Sequence, residues 1–147
     1  MTIVATVSNH AKYQLAKKAI DLSADTLIAI LMNDTFAFDK DTHSTLALVT
    51  ASQLATKNGY TQDTKALTTL SLVEDDADDK AAFTCDNVTW TADATTDATG
   101  IGPTGAWCII DTTTSDDTLI CCIDFGTDYT ISDGSSLQLQ TIAISLT

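Results

Sequence analysis

Few residue patterns in this chain could do chemistry. His43 ends the run Phe38-Asp39-Lys40-Asp41-Thr42-His43, beside two carboxylates. An imidazole so placed can serve as a general base or a metal ligand. No sequence-linked nucleophile accompanies it, and the only other histidine is His10. His43 is therefore read as a loop histidine making an ordinary hydrogen bond. Glu74 to Asp79 spells Glu-Asp-Asp-Ala-Asp-Asp, a concentration of hard oxygen ligands that suggests calcium. An EF-hand loop needs glycine at its sixth position and glutamate at its twelfth, and neither is present. A solvated hairpin tip is expected. Gly100 to Gly105 matches G-x-G-x-x-G in spelling. A dinucleotide site needs that motif between a strand and a helix, with free backbone N–H groups. Here Pro103 removes a donor and a strand follows, so a loop is expected.

Cys85, Cys108, Cys121 and Cys122 all fall among apolar neighbours. No C-x-x-C spacing occurs, and adjacent Cys121 and Cys122 point to opposite faces of a strand. Buried free thiols are the leading reading, with a disulfide of Cys85 or Cys108, or a metal, as alternatives. Asn33-Asp34-Thr35 and Asn87-Val88-Thr89 are glycosylation sequons by spelling. The N-terminus lacks a basic start followed by a long apolar stretch, so these are expected to be unused. No cofactor and no metal is assigned.

The charge restricts partners. The chain of 147 residues carries 7 lysines, no arginine, and 20 acids, for a net charge of -13. That balance disfavours nucleic acid, which is gripped by cations, and anionic membrane surfaces. No apolar run approaches the length of a membrane-spanning helix. A soluble protein made in a cytoplasm is expected. The charge is also uneven. Residues 1–20 carry +3 from Lys12, Lys17 and Lys18, while the remainder carries -16. Ile3, Val4 and Val7 belong to an apolar lead that could extend a neighbour's sheet or the chain's own. Residues 1–7 as an extended arm, with Lys12, Lys17 and Lys18, form the candidate docking element.

The elements that must position these groups centre on Trp107 to Phe125. Two apolar runs flank the polar stretch Thr112–Asp117, which is too short for a helical crossover. Strands apolar on both faces belong in the middle of a structure. Leu119, Cys121, Ile123 and Phe125 are expected on one face, with Ile120 and Cys122 on the other. Ser8 or Asn9 caps a predicted amphipathic helix over 9–20. Leu27–Met32 reads as a buried strand. Residues 33–45 read as a structured loop anchored by Phe36 and Phe38. Residues 51–55 suggest one helical turn. Residues 66–73 and 80–85 read as two more strands. Asn58-Gly59 and Asp133-Gly134 mark turns. A break near Asp86-Asn87 and a bulge near Thr141 are needed to keep Trp90 and Ile142 on the core side. Nineteen of the acids are aspartate, a turn former. The expectation is one mainly β domain over residues 1–147. It takes the form of an antiparallel β-sandwich or flattened barrel with one N-terminal amphipathic helix.

One further reading comes from likeness. The segments AKYQLAKKAIDLSADTLIAILM, FAFDKDTH, LATKNGYT, LVEDDADDKAAFTCDNVTW and IIDTTTSDDTLICCIDFGTDYTISDGSSLQL occur here in that order. Together they resemble a group of small tailed-bacteriophage virion proteins, over roughly residues 11–139. The cysteine pair and the near-absence of Glu and Arg depart from that group. The resemblance implies a non-enzymatic structural protein of the phage particle. A head decoration, or capsid-cement, protein is the leading form. It would bind the major capsid protein on the outside of the assembled shell, as a homo-oligomer with the trimer favoured. The alternative is a tail or fibre-base component built on a glycan-binding β-sandwich.

Overall fold

The computed structural model describes residues 5–93 and 95–146. The chain is mainly β, and its described strands form three antiparallel sheets. The largest is built on β2 (Leu27–Asn33), whose first six residues are apolar and buried. β2 pairs with β7 (Ile101–Asp111), and β7 pairs with β8 (Thr118–Ile131). β1 (Thr6–Val7) closes the far edge of β8, and β3 (Lys65–Ala66) lies on β2. The strand order is β1-β8-β7-β2-β3, so the expected hairpin occupies the middle. A second sheet joins β4 (Ser71–Asp75), β5 (Lys80–Thr84) and β10 (Ala143–Leu146) in the order β10-β5-β4. A third pairs β6 (Val88–Thr91) with β9 (Ser136–Leu139).

Both faces of the large sheet are covered, which is why its strands are apolar throughout. On one face Leu31, Trp107, Ile109 and Ile123 share a core with Phe83, Trp90, Leu139 and Ile144 of the two smaller sheets. On the other, Ile28, Ile30, Met32, Cys108 and Ile110 lie under Val49, with Phe36, Phe38 and Leu46 packed alongside. Residues 33–45 thus form the anchored loop that their phenylalanines predict. The helical turn falls earlier than expected, as α2 (Leu46–Val49) and a 3₁₀ turn over Thr50–Ser52. Tyr60 fastens this region, since its hydroxyl accepts from Leu31 N (3.1 Å) and Gln53 Nε2 (2.9 Å).

Four expectations are corrected. The N-terminal helix α1 covers only Asn9–Ala16 and buries Ala11 alone, so it is short and weakly amphipathic. Ser8 caps it as predicted, its Oγ accepting from Ala11 N at 3.0 Å. Lys18 then turns to φ 60°, and Lys18 N and Ala19 N bond back to Leu15 O and Gln14 O. That left-handed stop ends the helix before Ile20. Second, a register shift between Ile109 and Ile110 places Ile120 and Cys121 on the same core, while Leu119 and Cys122 face the other. The expected alternation is broken there. Third, Gly100–Gly105 is not a loop, because β7 begins at Ile101 and runs through it with two irregularities. Fourth, the bulge expected near Thr141 is instead a break between two strands in different sheets, β9 and β10. Thr141, at φ 52°, turns the chain between them.

The cysteines need a further correction. Cys108 and Cys122 stand opposite each other in the ladder, with Cα atoms 4.1 Å apart, and form a disulfide. Their spacing in sequence could not show this, because the pairing depends on register. Cys85 and Cys121 are free. Burial pushes the Cys85 thiol up to about 11, helped by Asp86, and raises Cys121 further still. Both therefore stay protonated and unreactive at neutral pH. Denatured, unreduced protein is expected to titrate two thiols, and reduced protein four. Four thiols before reduction would show that the cross-strand bond does not form.

Candidate functional site

The candidate docking residues do not come together as one element. Ile3 and Val4 lie outside the described residues. Val7 is buried in β1 and paired with Cys121, so its side chain packs inside the chain's own sheet. Lys12, Lys17 and Lys18 are exposed, and none forms an ion pair among the described residues. Lys17 Nζ sits 4.9 Å from the ring centre of Tyr13, which is itself exposed. Lys12 and Lys17 are five residues apart, about 140° around a helix. They face different directions. Lys17 and Tyr13 present one surface. Lys12 instead borders a groove shared with Leu15, Lys40 and Leu146.

The acidic hairpin tip between β4 and β5 folds as its sequence predicts. Lys80 pairs with Asp78 at 2.7 Å and Asp75 at 3.5 Å, and its bond to Asp78 holds that carboxyl below its usual range. Glu74, Asp76 and Asp79 have no ion-pair partner among the described residues. Leu72 and Val73 on the same hairpin are exposed. No group of three or more His, Cys, Asp or Glu among the described residues is arranged to hold a metal.

His43 is half-buried. Its Nδ1 accepts from Asp39 N at 3.1 Å, and its ring stacks on Phe36 with centroids 5.4 Å apart. It closes its own loop over the second core. His10 bonds to Asp116 (Nε2 to Oδ2, 2.8 Å), tying α1 to the loop between β7 and β8. Burial opposes ionisation of Asp116, but bonds from Thr118 and His10 outweigh it and lower the pKa. The glycine motif is closed against β8. A Cβ on Gly102 would meet Tyr129 O at 2.6 Å, so the β8 backbone occupies the space a phosphate would need.

Two polar sites were not legible as such in the sequence. Asn58 is almost fully buried in the Asn-Gly turn. Its Nδ2 donates to Asp97 Oδ1 and Gly100 O, both at 2.8 Å, and its Oδ1 accepts from Thr96 N and Asp97 N. Hydrogen bonds from Thr99, Asn58 and Lys57 hold Asp97 ionised. Asp111, at the end of β7, is fully buried. Its Oδ1 accepts from Thr113 N at 2.8 Å, while Oδ2 has no donor among the described residues. The carboxyl of Asp25 lies within reach of it.

A pocket of about 250 Å³ opens beside the junction of β9 and β10. Trp107, Phe125, Tyr129, Leu137, Gln140 and Thr141 contribute to its lining. Comparisons with family models, curated proteins and solved structures give no match to this chain. No helix among the described residues is long and apolar enough to cross a membrane.

Proposed function

We propose that this protein is a structural component of a tailed-bacteriophage particle, with head decoration as its role. It would sit on the outside of the assembled shell against the major capsid protein, as a homo-oligomer with the trimer favoured. Its stacked sheets would act as a β-sandwich knob. The observation that carries this reading is the pair of exposed lysines at the end of α1, Lys17 and Lys18, with no ion pair among the described residues, on a chain whose residues 21–147 sum to -16. An acidic body repels its own copies, so dense display needs contacts that outweigh the repulsion. A lattice supplies them through many weak contacts made together. The resemblance in residues 11–139 points the same way. The reading assigns no catalytic step, since His43 is engaged in its loop and the free thiols are held protonated.

Val7 belongs to the chain's own sheet, so the docking surface narrows to Lys17, Lys18 and Tyr13. The test is a Lys17→Glu/Lys18→Glu variant that retains wild-type circular dichroism. It is added to shells of the particle's major capsid protein that lack this component. Occupancy is expected to fall on the order of tenfold at low salt, and less at high salt. Unchanged occupancy at both would remove the lysines from the contact.

The second reading, a tail or fibre-base component that binds glycan, is favoured by the pocket beside Tyr129, where aromatic and amide groups meet. It expects retention on an immobilised glycan, lost with Tyr129→Ala. A protein that decorates shells and ignores glycans excludes it.

A further inference from the structure

The acidic hairpin and the basic helix face are far apart in sequence, yet they meet across one residue. Across the second sheet Glu74, Ala81 and Leu146 stand side by side in register. Leu146 then lines two adjoining grooves. One is walled by Leu72, Glu74, Asp76 and Asp79, with Lys80 there engaged by Asp75 and Asp78. The other is walled by Lys12, Leu15 and Lys40. The result is a single surface strip with an acidic end, an apolar middle and a basic end. Glu74 and Asp76 at one end, and Lys12 and Lys40 at the other, have no ion-pair partner among the described residues. Leu72 and Val73 leave apolar surface exposed beside the acidic end.

A strip of this kind is complementary to itself. Turned by a two-fold rotation about its middle, its acidic end faces the basic end of a second copy, twice over. An isologous contact requires that property of one surface patch. A strip of single sign would instead repel its own copy. We propose that this strip is a reciprocal contact between two copies of the chain. The hairpin carboxylates of each copy face Lys12 and Lys40 of the other, with Leu146 between them and Leu72 and Val73 beside the carboxylates. The proposal does not depend on the virion reading, and its two-fold pair stands against the trimer favoured there. It uses Lys12 and Lys40, which line a groove that Lys17 and Tyr13 do not.

The experiment uses two charge-reversed chains. One carries Lys12→Glu and Lys40→Glu, so both ends are acidic. The other carries Glu74→Lys and Asp76→Lys, so both ends are basic. All four positions are exposed, and circular dichroism with thermal unfolding verifies each fold. Sedimentation equilibrium over a concentration series reads self-association. The wild type is expected to form a dimer that weakens with salt. Each variant alone is expected to associate on the order of 100-fold more weakly. An equimolar mixture of the two is expected to dimerise again, because each end then meets its opposite. A wild type that stays monomeric or forms salt-independent trimers would overturn the proposal. So would a mixture of folded variants that stays apart. In that case the strip is filled from within the chain or by another partner. A cyclic trimer cannot alternate two variants around an odd ring, so restored pairing in the mixture distinguishes the two-fold contact from it.

Discussion

Replacing Trp90 by alanine is expected to lower the stability of the fold by about 3–5 kcal/mol. Trp90 is 2% exposed and lies in the core shared by all three sheets. Its ring stands 6.4 Å from that of Tyr60, and Lys65 Nζ lies 5.8 Å from its centre. Truncation would remove the contacts that bind β6 to the large sheet and leave a cavity that rigid strands cannot close. Trp107→Ala should fall at the lower end of the same range, although Trp107 is almost as buried. One side of Trp107 already borders the pocket of about 250 Å³, so it forfeits fewer contacts. Trp90→Phe should cost much less, because the indole Nε1 has no acceptor among the described residues. Urea unfolding of the three variants checks the order. A loss below about 1 kcal/mol for Trp90→Ala would place Trp90 outside the core.

The second expected result is a protein that loses stability as the medium leaves mild acid. Burial, with Asp25 nearby, pushes the Asp111 carboxyl up to about 6, against the opposing bond from Thr113 N. The folded chain therefore holds a proton that the unfolded chain releases near the ordinary aspartate value of 3.8. Between those values the folded state binds more protons, so stability falls with rising pH. Asp111 contributes its full stabilisation below about 4. The contribution is lost through the window up to about 6, amounting to at most about 3 kcal/mol. The physical reason is that an ionised carboxylate is costly to hold out of water, and more so with a second carboxyl near it. Asp111→Asn should remove this window. The amide can keep the bond from Thr113 N and donate toward Asp25. The variant should be more stable than the wild type at pH 8 and close to it at pH 4. Urea midpoints across pH 4–8 decide the matter. A wild type whose stability rises from pH 4 to pH 7, in parallel with the variant, would contradict the assignment.

How much of this was legible in the sequence depends on how far apart the interacting residues lie. Ser8 is recognisable as a helix cap because its bond reaches only to Ala11. Asn58-Gly59 is recognisable as a turn because its left-handed φ values, 52° and 90°, suit those two residue types. The buried hairpin is recognisable because residues 107–110 and 119–123 are unbroken apolar runs. The end of α1 was not, since lysine at the left-handed position of Lys18 is an unusual stop. Among the candidate docking residues, sequence alone shows the charge of Lys12, Lys17 and Lys18. It could not divide them between two surfaces, nor place Val7 inside the sheet.

By itself the sequence determined the mainly β, antiparallel class, the central hairpin, the main turns and the separation of charge along the chain. Each follows from local pattern: two-residue periodicity, turn chemistry, and the order of charged residues. Only the tertiary structure decided which strands became neighbours. Register set Cys108 against Cys122 and shifted Ile120 to the face of Cys121. Packing brought Asp25 to Asp111, and Thr141 sent β9 and β10 to different sheets. The same packing set Leu146 beside Glu74 in one groove, across 72 positions of chain, and beside Lys12 in the other, across 134. Such contacts are fixed by where many strands bury their apolar faces together, and no window along the chain contains both partners.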